Sequence, residues 1–178
     1  MPAQPVEATP PIERLSPAAA SVADAFAAAI AKRRVFDEPY RHYLIENCFP
    51  KDVADELAGL PFAAPVLDGV SGKRELHNDQ RSYFDAAAMT RFPVMRAVAE
   101  ALQSRRITRL IHDTFGAPID DTFLRLEYAQ DIDGFWLEPH TDLGVKKFTC
   151  LIYLSEGDRK STRLNSSHQC LSRMPSSA

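Results

Sequence analysis

The chain reads as an α+β protein in which helices come first and an antiparallel run of strands follows. Apolar residues recur at helical spacing up to Phe115, and beyond Pro118 the period falls to two. The composition of the 178 residues, 45% hydrophobic and 25% charged, is that of one ordinary globular domain with appendages.

Met1 to Pro17 carries five of the 13 prolines, too many for a regular helix or a central strand, so residues 1–20 are expected to form a disordered leader. Ser21 to Arg34 is alanine-rich, with Val22, Phe26 and Ile30 four apart, and predicts a helix. Tyr40 to Ile45 predicts a short strand. A short helix is expected from Pro50 or Lys51, with Val53, Leu57 and Leu60 as its apolar side. Residues 61–84 have no period and read as a long loop. Asp85 is a plausible N-cap. Pro93 fits the first turn of a helix running to about Gln103, with Val94, Ala97, Val98 and Leu102 on one face. The next helix shows Ile107, Leu110, Ile111 and Thr114, and Gly116 with Pro118 ends it.

Three strands are then expected as a meander. Thr122 to Tyr128 alternates, Phe135 to Asp142 is extended after a turn at Asp131 to Gly134, and Phe148 to Leu154 has the apolar, β-branched character of a strand buried on both faces. The last 20 residues hold six serines and four basic side chains but no acidic one, and lack periodicity. The expected organisation is therefore a leader (1–20), a helical part (21–117), strands (118–158) and a disordered tail (159–178).

A net charge of −3 gives no nucleic-acid footprint, and no stretch approaches the ~18 apolar residues of a membrane span. There is no secretory pattern at Met1 to Leu15. Cys48, Cys150 and Cys170 form neither a zinc pattern nor a disulfide framework, which fits a reducing cytoplasm.

The residues that suggest chemistry are His140-Thr141-Asp142. On an extended segment, residues two apart point to one side, so an imidazole and a carboxylate can grip one metal ion together. With a second His from elsewhere they would form the facial triad of non-haem Fe(II) oxygenases. Spacing alone equally suits a surface His and a turn Asp before Gly144. A second copy, His77-Asn78-Asp79, falls in the aperiodic loop and reads as a solvated segment.

Around His140 the pattern becomes specific. Glu138 to Asp142 (EPHTD), preceded by Tyr128 and Gly134 and followed by Thr149 to Ser155 (TCLIYLS), resembles the Fe(II)/2-oxoglutarate-dependent dioxygenases, in particular the prolyl-4-hydroxylase-like branch. About 32 residues carry the resemblance. It implies a double-stranded β-helix (jelly-roll, cupin-like) with the N-terminal helices packed on it. It also implies Fe(II) on His140 and Asp142, 2-oxoglutarate as cosubstrate with ascorbate as a possible auxiliary, and hydroxylation of a C–H bond by O2 with release of succinate and CO2. The implied substrate is a small molecule or a prolyl or peptidyl group. Retention of Asp142 argues against the halogenase variant.

The resemblance gives Tyr153 the distal carboxylate of 2-oxoglutarate, with Thr149 and Leu151 on the same face. Packing at a sheet edge is the alternative for Tyr153. Tyr128 is a weaker candidate for the same cosubstrate. Trp136 reads as core or rim packing, Cys150 as a small core residue facing away from the pocket, and Arg81 as a solvated loop arginine. The family's barrel has eight strands, and its second metal His and its basic cosubstrate anchor come from later ones. Here the pattern leaves off after Gly157 or Asp158. His168, Arg163 and Arg173 are poor replacements, so the third ligand stays unassigned. The expectation is an incomplete barrel of about three or four strands, inactive as it stands, with a tail similar to translated sequencing-adaptor ends. A non-catalytic cupin-like metal or ligand binder is the alternative. A helical interaction protein centred on residues 85–116 is a third reading, in which the spacing around His140 has no purpose.

Overall fold

A computed structural model describes residues 14–63, 82–130 and 146–154, and the backbone of 169–173. Within them the chain is a mixed α and β protein with two small antiparallel sheets and no closed barrel. The helices are α1 (Pro17–Ala31), α2 (Lys51–Ala58), α3 (Ala86–Arg91), α4 (Pro93–Gln103) and α5 (Arg105–Phe115). The strands are β1 (Arg34–Phe36), β2 (His42–Glu46), β3 (Ser82–Tyr83), β4 (Glu127–Tyr128), β5 (Thr149–Tyr153) and β6 (Gln169–Arg173).

Local chemistry explains the helix ends. Ser16 caps α1, its Oγ accepting from the Ala19 N–H at 3.3 Å, and Pro17 sits where a missing N–H costs nothing. The expectation of a leader through residue 20 and a helix only from Ser21 is corrected here, because proline in a first turn starts a helix instead of excluding it. The same helix ends at Ala31, three residues short of the expected Arg34, which instead opens β1. Asp85 caps α3 as expected, accepting from the Ala88 N–H at 2.8 Å. Ser104, buried between α4 and α5, donates to the Ala101 carbonyl at 2.6 Å and accepts from the Ile107 N–H at 3.3 Å. It thereby closes one helix and opens the next. Gly116 stops α5 in the left-handed region, φ 64°.

The helical stripes meet in one core. Val22, Phe26 and Ile30 of α1 pack with Val94, Met95, Val98 and Leu102 of α4 and with Ile107 and Ile111 of α5, all buried. Tyr43 and Ile45 bring β2 onto this core. Phe115 at the end of α5 meets the Tyr43 ring at 4.8 Å and the Phe148 ring at 5.4 Å, which fastens the start of β5 beneath the helices.

The larger sheet has the order β1-β2-β6-β5, and the smaller pairs β3 with β4. Several expectations are corrected by this topology. The meander from the 122–128 strand to the 148–154 strand does not form among the described residues: β4 pairs with β3 and β5 with β6. Only Glu127 and Tyr128 of the expected 122–128 strand are β structure. The tail, read as lacking regular structure, places Gln169–Arg173 between β2 and β5. Its own propensity is weak, but the strand completes backbone pairing on the facing sides of both neighbours, and that requirement overrides composition. Cys48 is a buried thiol directed at the Ile45 carbonyl at 3.7 Å, whereas Cys150 is disulfide-bonded, against the expectation of no disulfide.

Ser104→Ala should lower stability by about 1–2 kcal/mol through loss of the cap. Gly116→Ala should lower it by about 1–2 kcal/mol from backbone conformation alone, since no atom lies within 4 Å of the added Cβ. Urea unfolding of the two variants checks both values.

Candidate functional site

Antiparallel pairing puts directly opposed residues on one face of a sheet, so the register fixes which side chains can act together. Three rows of paired positions cross the larger sheet through the backbone of β6. The first joins Phe36 and His42 to Thr149, the second Arg34 and Leu44 to Leu151, and the third Glu46 to Tyr153. The side chains of these residues of β1, β2 and β5 share one side of the sheet. The other side carries Tyr43, Ile45, Cys150 and Ile152, and these four pack on the helical core. The rows containing Thr149, Leu151 and Tyr153 therefore lie on the face turned away from the helices.

Exposure follows the same alternation. Leu151 and Tyr153 are each 44% exposed, while Cys150 and Ile152 are partly buried. The expectation that this strand is buried on both faces is corrected: only its helix-facing side meets the core. The apolar run Thr149–Tyr153 is thus not explained by core packing alone. Leu44, in the middle row, is buried.

The candidate residues separate in space. Tyr153 sits at the end of β5 on the outward face. Cys150 points toward the helices and packs against the core. Tyr128 lies in the smaller sheet and packs against the helical core. Its ring is 5.2 Å from that of Phe62, and its hydroxyl approaches the Ala58 carbonyl at 3.5 Å, the outer limit of a hydrogen bond. Arg125, two residues before β4, ion-pairs with Glu127 and stacks over the Tyr83 ring at 5.4 Å.

His140 and Asp142 fall outside the described residues, as do Trp136, His77, Asp79, Arg81, Arg163 and His168. Among the described residues no three His, Cys, Asp or Glu side chains gather as metal ligands. Arg173 is placed by its backbone only, in register with Thr149 and His42.

One feature of this face has little signal in the sequence. Phe36 and His42 stack with ring centroids 5.1 Å apart, and Tyr40 lies 5.4 Å from the same imidazole. Only the strand signal at Tyr40 to Ile45 points toward it. The pairing with Arg34–Phe36 that forms the cluster is hidden because Arg34 looks like the end of the preceding helix.

The chain matches no protein-family model, no curated protein and no solved structure.

The two tyrosines should respond differently to truncation. Tyr128→Ala is expected to destabilise the protein by about 2 kcal/mol or more, because it removes a packed ring. Tyr153→Ala should stay within about 0.5 kcal/mol, as for an exposed side chain. Thermal and urea unfolding distinguish the two.

Proposed function

We propose that the chain carries one side of an Fe(II)/2-oxoglutarate-dependent dioxygenase site, built on a jelly-roll-type sheet. In this reading His140 and Asp142 hold the metal and Tyr153 binds the cosubstrate. The observation that supports it best is the orientation of β5. The face with Thr149, Leu151 and Tyr153 is directed away from the helices and partly open to solvent, as a pocket wall requires.

The donor set fits the group. An imidazole and a carboxylate suit ferrous iron, which tolerates borderline and hard ligands and needs no thiolate. When bound, the iron would supply O2 activation for attack on a C–H bond. The chain's own residues have simpler tasks. His140 donates a ring nitrogen, so it must be neutral, and Asp142 supplies one negative charge that offsets part of the metal's. Tyr153 offers an O–H to a carboxylate oxygen at the open end of β5. The apolar Leu151 beside it limits water on the same wall. Tyr128 is left out of this reading, since its packing against Phe62 explains it.

Only two protein ligands are assigned, and two hold Fe(II) weakly. The purified 178-residue chain is therefore expected to bind iron without turning over. Anaerobic calorimetry should find one Fe(II) per chain. Affinity should fall at least tenfold in Asp142→Ala and in His140→Ala, and 2-oxoglutarate should bind only when metal is present. Tyr153→Phe should weaken the 2-oxoglutarate step several-fold and leave metal affinity unchanged. Iron binding that survives Asp142→Ala would remove the proposal. Metal binding with no 2-oxoglutarate dependence would favour a non-catalytic binding module.

A further inference from the structure

We infer that β6 is held between β2 and β5 by a disulfide between Cys150 and Cys170, and that the larger sheet is thereby a redox switch, complete when the bond is formed and open between β2 and β5 when it is reduced. The pairing follows by elimination. The chain has three cysteines. Cys150 is disulfide-bonded, and Cys48 keeps its thiol, which donates to the Ile45 carbonyl at 3.7 Å. Only Cys170 is left. The backbone register agrees. Position 170 stands opposite Ile152 and Ile45, and Cys150 stands opposite Ser172, two residues along β6. Strand alternation puts positions 150 and 170 on the same, helix-facing side of the sheet.

The three strands do not depend on the bond equally. β2 is anchored by Tyr43 and Ile45, and β5 by Ile152 and by the Phe148 ring against Phe115. β6, by contrast, is the sequence Gln-Cys-Leu-Ser-Arg, with no β-branched or aromatic residue to favour a strand. It also follows β5 only after a long connection, residues 154–168, whose closure costs entropy. A cross-link from 150 to 170 removes most of that cost from the open state, so the strand least able to hold its own place gains most from it. Access is selective as well. Cys150 is partly exposed and Cys48 is wholly buried, so a small thiol reaches the disulfide and not the thiol. Opening takes a small dithiol as reductant. One of its thiolates attacks a sulfur of the disulfide and breaks the S–S bond. Its second thiolate then displaces the mixed disulfide, and the reagent leaves as its own cyclic disulfide. Cys150 and Cys170 each end with one added electron and one proton. A small-molecule disulfide runs the exchange in reverse and leaves as two thiols. In the open state the facing edges of β2 and β5 lose their shared partner.

The inference is independent of the proposed iron site. The test compares the purified 178-residue chain oxidised, treated with dithiothreitol, and as the variant Cys170→Ser. Peptide mapping of the oxidised chain without reductant should join the peptides that contain Cys150 and Cys170. Amide hydrogen exchange over residues 149–153 should speed up at least about tenfold on reduction, while exchange in α4 stays as it was. Oxidised glutathione should restore slow exchange in the reduced wild type. Cys170→Ser should exchange as the reduced wild type does, with or without reductant. Because the wild type is switched chemically, the outcome does not rest on the variant alone. Exchange over 149–153 that reduction leaves unchanged overturns the inference. So does equal acceleration in α4, which would make the bond a general staple of the fold, and so does a disulfide that maps to Cys48 or joins two chains.

Discussion

The packing of the helices against one face of the larger sheet is the constraint on which the rest depends. Tyr43 and Ile45 of β2 and Cys150 and Ile152 of β5 all turn toward the core formed by α1, α4 and α5. Because a strand alternates, committing these residues inward commits Thr149, Leu151 and Tyr153 outward. The Tyr43–Phe115–Phe148 ring contacts hold this choice at the start of β5. A slip of one residue would bury Tyr153 and expose Ile152, and a cosubstrate role for Tyr153 would be lost with it.

The helices are legible in the sequence because their signals are local. Val22, Phe26 and Ile30 repeat at helical spacing, Asp85 and Gly116 mark ends, and Pro93 marks a start. Pro17 misleads because its meaning depends on the residue before it: after Ser16 it starts a helix, and within a proline-rich stretch it looks like a breaker. Strand pairing is much less legible. Nothing in Gln169–Arg173 predicts a strand, and its placement reflects what β2 and β5 need from a neighbour, which is a non-local demand. The apolar run at β5 is readable as a strand. Its exposure is not, because burial on a second face depends on what else covers it.

For the candidate site, sequence and structure contribute different parts. The pairing of His140 with Asp142 is a matter of spacing and of resemblance around it. The direction of Tyr153 and the packing of Tyr128 come from the fold. Tyr128 packs against Phe62, and Tyr153 is turned away from the core.

The most direct measurement places a paramagnetic ion where iron is proposed to sit. Mn(II) binds oxygen and nitrogen ligands of the same kind and broadens nearby nuclear signals. In fluorotyrosine-labelled protein, Mn(II) should broaden the Tyr153 signal selectively and leave Tyr43, on the opposite side of the sheet, sharp. The effect should vanish in Asp142→Ala. Equal broadening of Tyr43 and Tyr153, or selective broadening that persists without Asp142, would contradict the account.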